Sequence, residues 1–186
     1  FLSHAQADAS GTVSTLHVFY QQYGLHCWLD MQQETLTLEG MRQGVRRNLA
    51  GVLLGGQWRG EYAKQALPNY QVFDEDRYFD PGNEPLVIEH RGARLGILIC
   101  EDLWDGAPVR QSAEAGADIL VTLNASPFHL DKPAERERLF AERAREVDRP
   151  LVYVNAIGGQ DELVFDGGSL VLDAAGDVAV RAPFWQ

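Results

Sequence analysis

The stretch "LGILICEDLWD", Leu95 to Asp105, decides the fold class of this chain. It opens with an aliphatic run of strand length and ends in a cysteine followed by acidic residues. A short, continuous apolar run predicts a strand buried on both faces, as in the sheets of α/β proteins. Because functional side chains collect where such strands end, Cys100 is a candidate functional residue.

The sequence downstream of Cys100 alternates between helix and strand patterns. Two segments predict helices, and the second is the stronger, since Leu139, Phe140, Ala144 and Val147 fall on one side of it. The segments, in order, are helix "APVRQSAEAGA", strand "DILVTLNAS", helix "KPAERERLFAERAREVD", strand "PLVYVNAIG" and hairpin "GGSLVLDAAGDVAV". This order predicts an α/β fold with a mixed sheet, because the terminal hairpin adds antiparallel strands.

The sequence upstream of Leu95 predicts further helices and strands. In "ASGTVSTLHVFYQQY" the apolar residues recur at near-helical spacing, so a helix is predicted there. "GLHCWLD" predicts a strand and "LEGMRQGVRRN" a helix. "LAGVLL" and "GEYAKQAL" predict two strands joined by a turn at Gly55 and Gly56.

Composition excludes several classes of partner. The 186 residues are 45% hydrophobic and 23% charged, as in a globular protein, and carry a formal charge of −11. That acidity argues against nucleic acid or an anionic membrane as a partner. No apolar run reaches the length of a membrane span.

The cysteine and histidine content indicates the compartment and the metal content. Two cysteines, Cys27 and Cys100, predict free thiols in a cytoplasmic protein. The five histidines lack metal-ligand spacing, so no metal is expected.

A nucleophilic cysteine requires a base and a cation or dipole that stabilises the developing oxyanion. Lys64, flanked by small and apolar residues, is a candidate cation, and Glu75 is a carboxylate near it in sequence. Each residue alone also fits a plainer role. Cys100 could be a small buried hydrophobe, Lys64 a surface lysine and Glu75 part of an acidic loop.

Several long motifs carry a family resemblance. They are "NLAGVLLGGQWRGEYAKQALPNYQVFDEDRYFDPG", "GILICEDLW", "TLNASPFH", "RERLFAERA" and "VYVNAIGGQDELVFDGGSLVLD". In this order and spacing, residues 48–186 resemble the glutaminase domain of glutamine-dependent NAD synthetases, which belongs to the nitrilase, or carbon-nitrogen hydrolase, superfamily. The resemblance implies a nitrilase-like mixed-sheet sandwich that forms an αββα arrangement when two copies pair, and hence a homo-oligomer.

The resemblance also implies roles for individual residues. Cys100 matches the nucleophile that attacks the side-chain amide of L-glutamine, Lys64 the lysine that stabilises the oxyanion, and Glu75 a glutamate that orients the site. The substrate-contacting positions match Glu101, Ser126, Tyr70 and Phe73. The implied reaction releases glutamate and ammonia and needs no cofactor. ATP and the NAD precursor would bind a separate synthetase (ligase) domain, which is the implied partner.

The family's general base has no clear counterpart in this sequence. In the family it is a glutamate in a "Pro-Pro-Glu-Asp" context upstream of the lysine, whereas this chain offers Glu34, Glu39 and Glu61 in other contexts. Loss of a general base typically forfeits a rate factor of roughly 10² to 10⁴.

Residues 1–47 resemble the start of a Toll/interleukin receptor (TIR) domain. The segments "FLSHAQADASG", "LHVFYQQYGLHCWLD" and "LTLEGMRQGV" match its β-α-β-α opening, so a TIR-like segment is expected to replace the usual N-terminal part of the nitrilase sheet. Some TIR domains cleave NAD with a glutamate, which Glu39 would match. The alternatives to a glutaminase are therefore an NAD-binding or NAD-cleaving protein and a non-catalytic interaction module. A divergent nitrilase start remains the other interpretation of this segment.

Overall fold

A computed structural model describes residues 15–20, 25–30, 47–54, 56–71 and 73–186, the first two ranges as backbone only. The chain divides into two compact units, Phe1–Glu84 and Pro85–Gln186. The first unit contains the predicted lysine and the second the predicted nucleophile.

A four-stranded antiparallel sheet forms the first unit. Its strands follow one another in space as in sequence: β1 (Thr15–Tyr20), β2 (Leu25–Asp30), β3 (Leu49–Leu54) and β4 (Gln57–Ala63). The predicted strand-turn-strand of β3 and β4 is confirmed, and Gly56 in the turn has a φ of 75°, which a glycine adopts without strain. A short 3-10 helix, Glu75–Arg77, follows the sheet.

The helix predicted across "ASGTVSTLHVFYQQY" is wrong at residues 15–20, which form β1, and the rest of that segment lies outside the described residues. β1 pairs antiparallel with β2, and only four residues separate the two strands. A connection that short permits an antiparallel hairpin but not the parallel crossover of a β-α-β unit, which needs a dozen or more residues. The β-branched and aromatic residues of this segment suit a strand, and the TIR-like interpretation is not supported. The helix predicted at "LEGMRQGVRRN" lies outside the described residues, except for its last two.

A six-stranded mixed sheet forms the second unit, in the order β12-β11-β8-β7-β6-β5. Its strands are β5 (Leu86–His90), β6 (Ala93–Ile99), β7 (Ile119–Asn124), β8 (Leu151–Asn155), β11 (Leu170–Leu172) and β12 (Val178–Arg181). β6, β7 and β8 run parallel, and the outer strands pair antiparallel. This confirms the predicted mixed sheet and the terminal hairpin.

Three helices connect the parallel strands. They are α1 (Asp102–Asp105), α2 (Ala107–Glu114) and α3 (Lys132–Val147). The two long predicted helices are confirmed. α3 has Pro133 in its first turn, where the missing N–H costs nothing, and it ends at Asp148 in the left-handed conformation.

A small two-stranded ribbon, β9 (Ile157–Gln160) and β10 (Leu163–Asp166), follows β8. The sequence analysis did not separate these strands from the loop after β8.

The core of the second unit lies between the central strands and α2 and α3. Its fully buried side chains include Ile97, Ile99, Leu120, Phe140 and Tyr153. The parallel register aligns Ile99 with Leu123, and Asn124 with Asn155, so the three parallel strands end at one edge of the sheet. No helix within the described residues is long and apolar enough to cross a membrane.

Candidate active site

Cys100 lies directly after β6, at the edge where the parallel strands end. Its φ of 45° places a non-glycine residue in the left-handed region, which costs about 1–3 kcal/mol and therefore requires firm support from the surrounding structure. The Cys100 N–H donates to the Leu123 carbonyl over 3.0 Å. Cys100 is half-buried and carries a thiol rather than a disulfide.

The two acids that follow Cys100 have different environments. Asp102 is fully buried, and its Oδ2 accepts a hydrogen bond from the Ile99 N–H at 2.9 Å. Glu101 is half-buried at the start of α1, where its carbonyl accepts from the N–H groups of Trp104 and Asp105. Asp102 therefore holds the end of β6, and Glu101 lies beside the nucleophile in the same turn.

Ser126 follows β7 at the same edge of the sheet and is 4% exposed. Its N–H donates to Asn155 Oδ1 at 3.0 Å, which links it to the end of β8. Arg136 on α3 donates to both Ser126 oxygens, from Nε to Oγ at 3.2 Å and from Nη2 to the carbonyl at 2.7 Å. Together with the Arg136–Asp166 contact described next, these make four hydrogen bonds that join α3, β8 and β10 around Ser126.

Arg136 is a buried cation with a buried counter-ion. Its Nη1 donates to Asp166 Oδ1 at 2.7 Å, and the two side chains are 3% and 0% exposed. Asn155 Nδ2 donates to the same carboxylate oxygen at 3.3 Å and to the Gly167 carbonyl at 3.0 Å. Since an unpaired charge is costly to bury, this pair fixes the Ser126 segment against β8 and β10.

Tyr153 on β8 is a buried residue whose pKa is affected by charged groups at this edge of the sheet. Burial raises the pKa of its phenol well above the usual range; the Arg136 charge opposes that rise, and the Cys100 thiolate adds to it. Tyr153 therefore keeps its proton at any physiological pH.

Lys64 is the first residue after β4 in the other unit. Its ammonium donates to both oxygens of Glu75 at 2.7 Å, and the two side chains are 2% and 17% exposed. Its backbone is fixed on both sides, because its N–H donates to the Asn48 carbonyl at 2.9 Å and its carbonyl accepts from Gly82 at 2.8 Å. Lys64 is thus a buried, immobilised cation and not a surface lysine.

Tyr70 and Phe73 lie on the segment between Lys64 and the 3-10 helix. Their rings contact edge to face, with centroids 5.8 Å apart, and the Phe73 N–H donates to the Tyr70 carbonyl at 3.0 Å. Tyr70 is 48% exposed. The two rings form an aromatic pair near the Lys64–Glu75 pair in sequence, with Tyr70 exposed and Phe73 half-buried.

The predicted residues thus fall into two groups, one in each unit. The first contains Lys64, Glu75, Tyr70 and Phe73, and the second Cys100, Glu101 and Ser126. Glu39 and Glu34 lie outside the described residues, and Glu61 is exposed on β4.

Sequence analysis missed the residues that surround the second group, which are Asp102, Arg136, Tyr153, Asn155 and Asp166. One signal was available: Arg136 stands four residues before Phe140, on the apolar side of α3, where a charge is rarely tolerated without a partner. The identity of its partner could not be read from the sequence, because Asp166 is 30 residues away.

Comparison with known proteins gives the class of this chain. The carbon-nitrogen hydrolase family profile matches residues 10–186. The chain belongs to the carbon-nitrogen hydrolase family, and its fold is of the nitrilase-like α/β type. Because the match includes most of residues 1–47, it gives no support to a TIR-like replacement.

The similar proteins narrow that class. The chain is 44% identical over 144 residues to a glutamine-dependent NAD(+) synthetase of Acinetobacter baylyi and 46% identical over 135 residues to that of Thermotoga maritima. It covers 27% and 23% of those proteins, and they match 77% and 70% of it. It thus spans about a quarter of the length of the curated relatives it matches.

Solved structures agree. A glutamine-dependent NAD+ synthetase of Acinetobacter baumannii in complex with ADP has a TM-score of 0.74 at 43% identity, over 77% of this chain and 27% of that one. An amidase of Nesterenkonia has a TM-score of 0.65 at 29% identity, over 73% of this chain and 50% of that one. Its structure shows covalent addition of the acetamide moiety of fluoroacetamide at the active-site cysteine.

Proposed function

We propose that this chain is the glutamine-hydrolysing part of a glutamine-dependent NAD synthetase, converting L-glutamine to glutamate and ammonia through a thioester on Cys100. The observation that carries the proposal is the position of Cys100, held in a left-handed turn at the end of a buried parallel strand with Glu101 directly after it. Identity of 44% to a named synthetase across this region supports the substrate class.

The proposed reaction needs no redox partner. The Cys100 sulfur attacks the side-chain amide carbon of glutamine, and the carbonyl electron pair moves onto oxygen. Collapse of this tetrahedral intermediate breaks the carbon–nitrogen bond; the proton lost by the Cys100 thiol is transferred to the nitrogen, which departs as ammonia and leaves a thioester. Water then adds to the thioester, and glutamate departs as the thiol regains its proton. A cation placed where the oxyanion develops favours both tetrahedral intermediates.

Lys64 is the proposed oxyanion cation, and Glu75 is its counter-ion. Both Glu75 oxygens accept from the Lys64 ammonium, so we propose that this carboxylate holds the lysine in place rather than accepting the proton of the thiol. Of the upstream glutamates, the described Glu61 is exposed on β4 and poorly suited to that task. We assign the role of general base to neither Glu75 nor Glu61.

The remaining site residues are proposed to bind glutamine. Glu101 provides a carboxylate that suits the substrate's ammonium group, and Ser126 provides a hydroxyl on a segment fixed by Arg136. Tyr70 and Phe73 provide an aromatic pair that suits the wall of a pocket. All of these residues lie within 48–186, the part that we propose contains the glutaminase machinery.

The partner domain is also part of the proposal. The relatives are roughly three times as long as this chain, since the 144 aligned residues are 27% of one of them, and a solved synthetase structure is in complex with ADP. We propose that ATP and the NAD precursor bind a separate synthetase domain that receives the ammonia, and that the hydrolysis step uses no cofactor. A homo-oligomer formed by pairing of sheets, as in the αββα arrangement, is proposed for the assembled enzyme.

Covalent trapping tests this function. The protein is incubated with 6-diazo-5-oxo-L-norleucine (DON), a reactive glutamine analogue, and analysed by intact mass and peptide mapping. We expect one adduct on Cys100, absent in Cys100→Ala and retained in Cys27→Ala, and blocked by excess L-glutamine. Folded protein that gives no Cys100 adduct would contradict the glutaminase and favour a non-catalytic interaction module.

A further inference from the structure

The short helix after the nucleophile is held at its far end by one side chain. Arg143 on α3 donates from Nε to the Leu103 carbonyl at 2.8 Å and from Nη2 to the Trp104 carbonyl at 2.9 Å. Carbonyls in the last turn of a helix lack partners within the helix, and a guanidinium can satisfy two of them at once. Arg143 thus caps α1 from a helix that lies 40 residues further along the chain.

The space for this contact depends on Gly106, which follows α1. Gly106 has a φ of 84°, and a Cβ on it would lie 2.8 Å from Arg143 Cζ. The chain therefore turns away from α1 at the one residue type that suits both the backbone conformation and the approach of the guanidinium.

Arg143 is itself held by a shared carboxylate. Its Nη1 donates to Glu146 Oε2 at 3.0 Å, and Glu146 Oε1 accepts from Arg110 on α2 at 2.6 Å. The hydrogen bond from Arg110 is the main reason that the pKa of Glu146 is lowered, with the Arg143 charge contributing. The carboxylate stays ionised at neutral pH and fixes the guanidinium between α1 and α2.

We propose that Arg143 is a positioning residue for the Cys100–Glu101 turn. The strained φ of Cys100 persists only if the chain is fixed on both sides of it. The Leu123 carbonyl and the Asp102 carboxylate fix the side towards β6, while Arg143 fixes α1, whose first turn begins with bonds to the Cys100 and Glu101 carbonyls. The inference deepens the proposed function and rests on it for the identity of the substrate.

A matched pair of variants isolates this role. Lysine keeps the charge but cannot donate to two carbonyls with the fixed geometry of a guanidinium. Arg145, two residues along the same helix, donates from Nε to the Ala175 carbonyl at 2.9 Å in the turn between β11 and β12. Arg145→Lys therefore removes the same kind of contact at a place unconnected with Cys100, whereas Arg143→Lys removes it beside the nucleophile.

The first measurement compares Cys100 labelling by DON with labelling by iodoacetamide in the full chain. DON must bind before it reacts, while iodoacetamide needs only an accessible thiolate. Misplacement of a reacting group by about 1 Å can cost up to roughly 100-fold in rate. We expect the DON-to-iodoacetamide rate ratio to fall about tenfold in Arg143→Lys, in line with a smaller misplacement, and to change less than about twofold in Arg145→Lys. Glu146→Gln, which loosens Arg143 without removing it, should give a smaller fall.

Amide hydrogen exchange gives a second measurement that does not depend on glutamine chemistry. Exchange of residues 103–106 should accelerate in Arg143→Lys and stay unchanged in Arg145→Lys. If DON labels the wild type, two results would each overturn the positioning role. One is equal exchange in the two variants, and the other is a labelling ratio in Arg143→Lys that equals that of the wild type. A wild type that DON does not label contradicts the proposed substrate instead, and the exchange result then decides the anchoring alone.

Discussion

Two side chains of this protein are held in states that isolated residues avoid. Cys100 has a positive φ, and Lys64 is a cation with 2% of its side chain exposed. Each state persists because specific neighbours offset its cost: the bonds around β6 and α1 for Cys100, and the Glu75 carboxylate for Lys64. In a family of hydrolases, such locally unfavourable residues are the first candidates for chemistry.

The Lys64–Glu75 pair gives a prediction at this scale. Glu75→Gln leaves a buried ammonium without its counter-charge, so we expect a loss of about 3 kcal/mol in the free energy of unfolding. Replacing both partners by apolar residues of similar size, Lys64→Met with Glu75→Leu, should recover most of that loss, because neither charge remains to be solvated. Urea denaturation of the wild type, Lys64→Met, Glu75→Leu and the double variant provides the double-mutant cycle, and Glu75→Gln is measured beside it.

The two outcomes are readily distinguished. A cost below about 1 kcal/mol for Glu75→Gln would mean that water reaches the Lys64 ammonium, as at a surface pair. Both the single and the double variants should lose DON labelling of Cys100 if Lys64 acts as the oxyanion cation.

At the scale of elements, the contact between β6 and α2 depends on a glycine. A Cβ at Gly96 would lie 2.0 Å from Ser112 Oγ and 2.9 Å from Ala117 Cβ. Ser112 is 1% exposed, and its hydroxyl has no hydrogen-bond partner among the described residues. The helix packs closely on the strand that leads to Cys100 because this one position lacks a side chain.

Gly96→Ala is expected to reduce the free energy of unfolding by about 1–3 kcal/mol, as overpacking of a core does. Ser112→Ala alone should be within about 0.5 kcal/mol of the wild type or stabilising, since it removes a buried hydroxyl that gains no bond in the described structure. The double variant should lose less than Gly96→Ala, because the atom in the tightest contact is gone. Additive losses measured in urea would contradict this account of the packing.

At the scale of the whole molecule, ion pairs join distant parts of the second unit. Arg94 at the start of β6 donates to Asp118 before β7, from Nη2 at 2.8 Å and from Nε at 3.1 Å. Hydrogen bonds from the Arg94 side chain and backbone lower the pKa of Asp118 from 3.8 to about 2. Arg110, Glu146 and Arg143 join α2 to α3 in the same way.

The direction of the Asp118 shift determines its pH dependence. A folded-state pKa below the unfolded value means that the pair stabilises the protein fully above pH 3.8 and that this stabilisation is lost as the pH falls towards 2. We expect the thermal midpoint of Asp118→Asn to fall less steeply than that of the wild type over this window at low salt. Because the carboxylate is 42% exposed, about 0.5 M NaCl should narrow the difference, and identical slopes at low salt would refute the assignment.

Much of the second unit could be predicted from local sequence. The apolar run before Cys100 and the β-branched run of β7 have the length and composition of buried strands, α3 has the helical period, and all three are confirmed. The structure of the first unit was harder to predict from local sequence. Residues 15–20 have apolar spacing that a helix also accommodates, and the hairpin with β2 decided the outcome.

Neighbouring residues and motifs are enough to predict the order of strands and helices after Leu95, the place of Cys100 at a strand end and the family of the chain. Three contacts could be identified only in the folded chain: Glu75 pairs with Lys64 eleven residues away, Asp166 neutralises Arg136, and Arg143 caps α1. Such contacts join residues whose separation is set by the order of strands in a sheet. No local pattern encodes that separation, and the cost of burying an unpaired charge selects the partner only once the strands are in place.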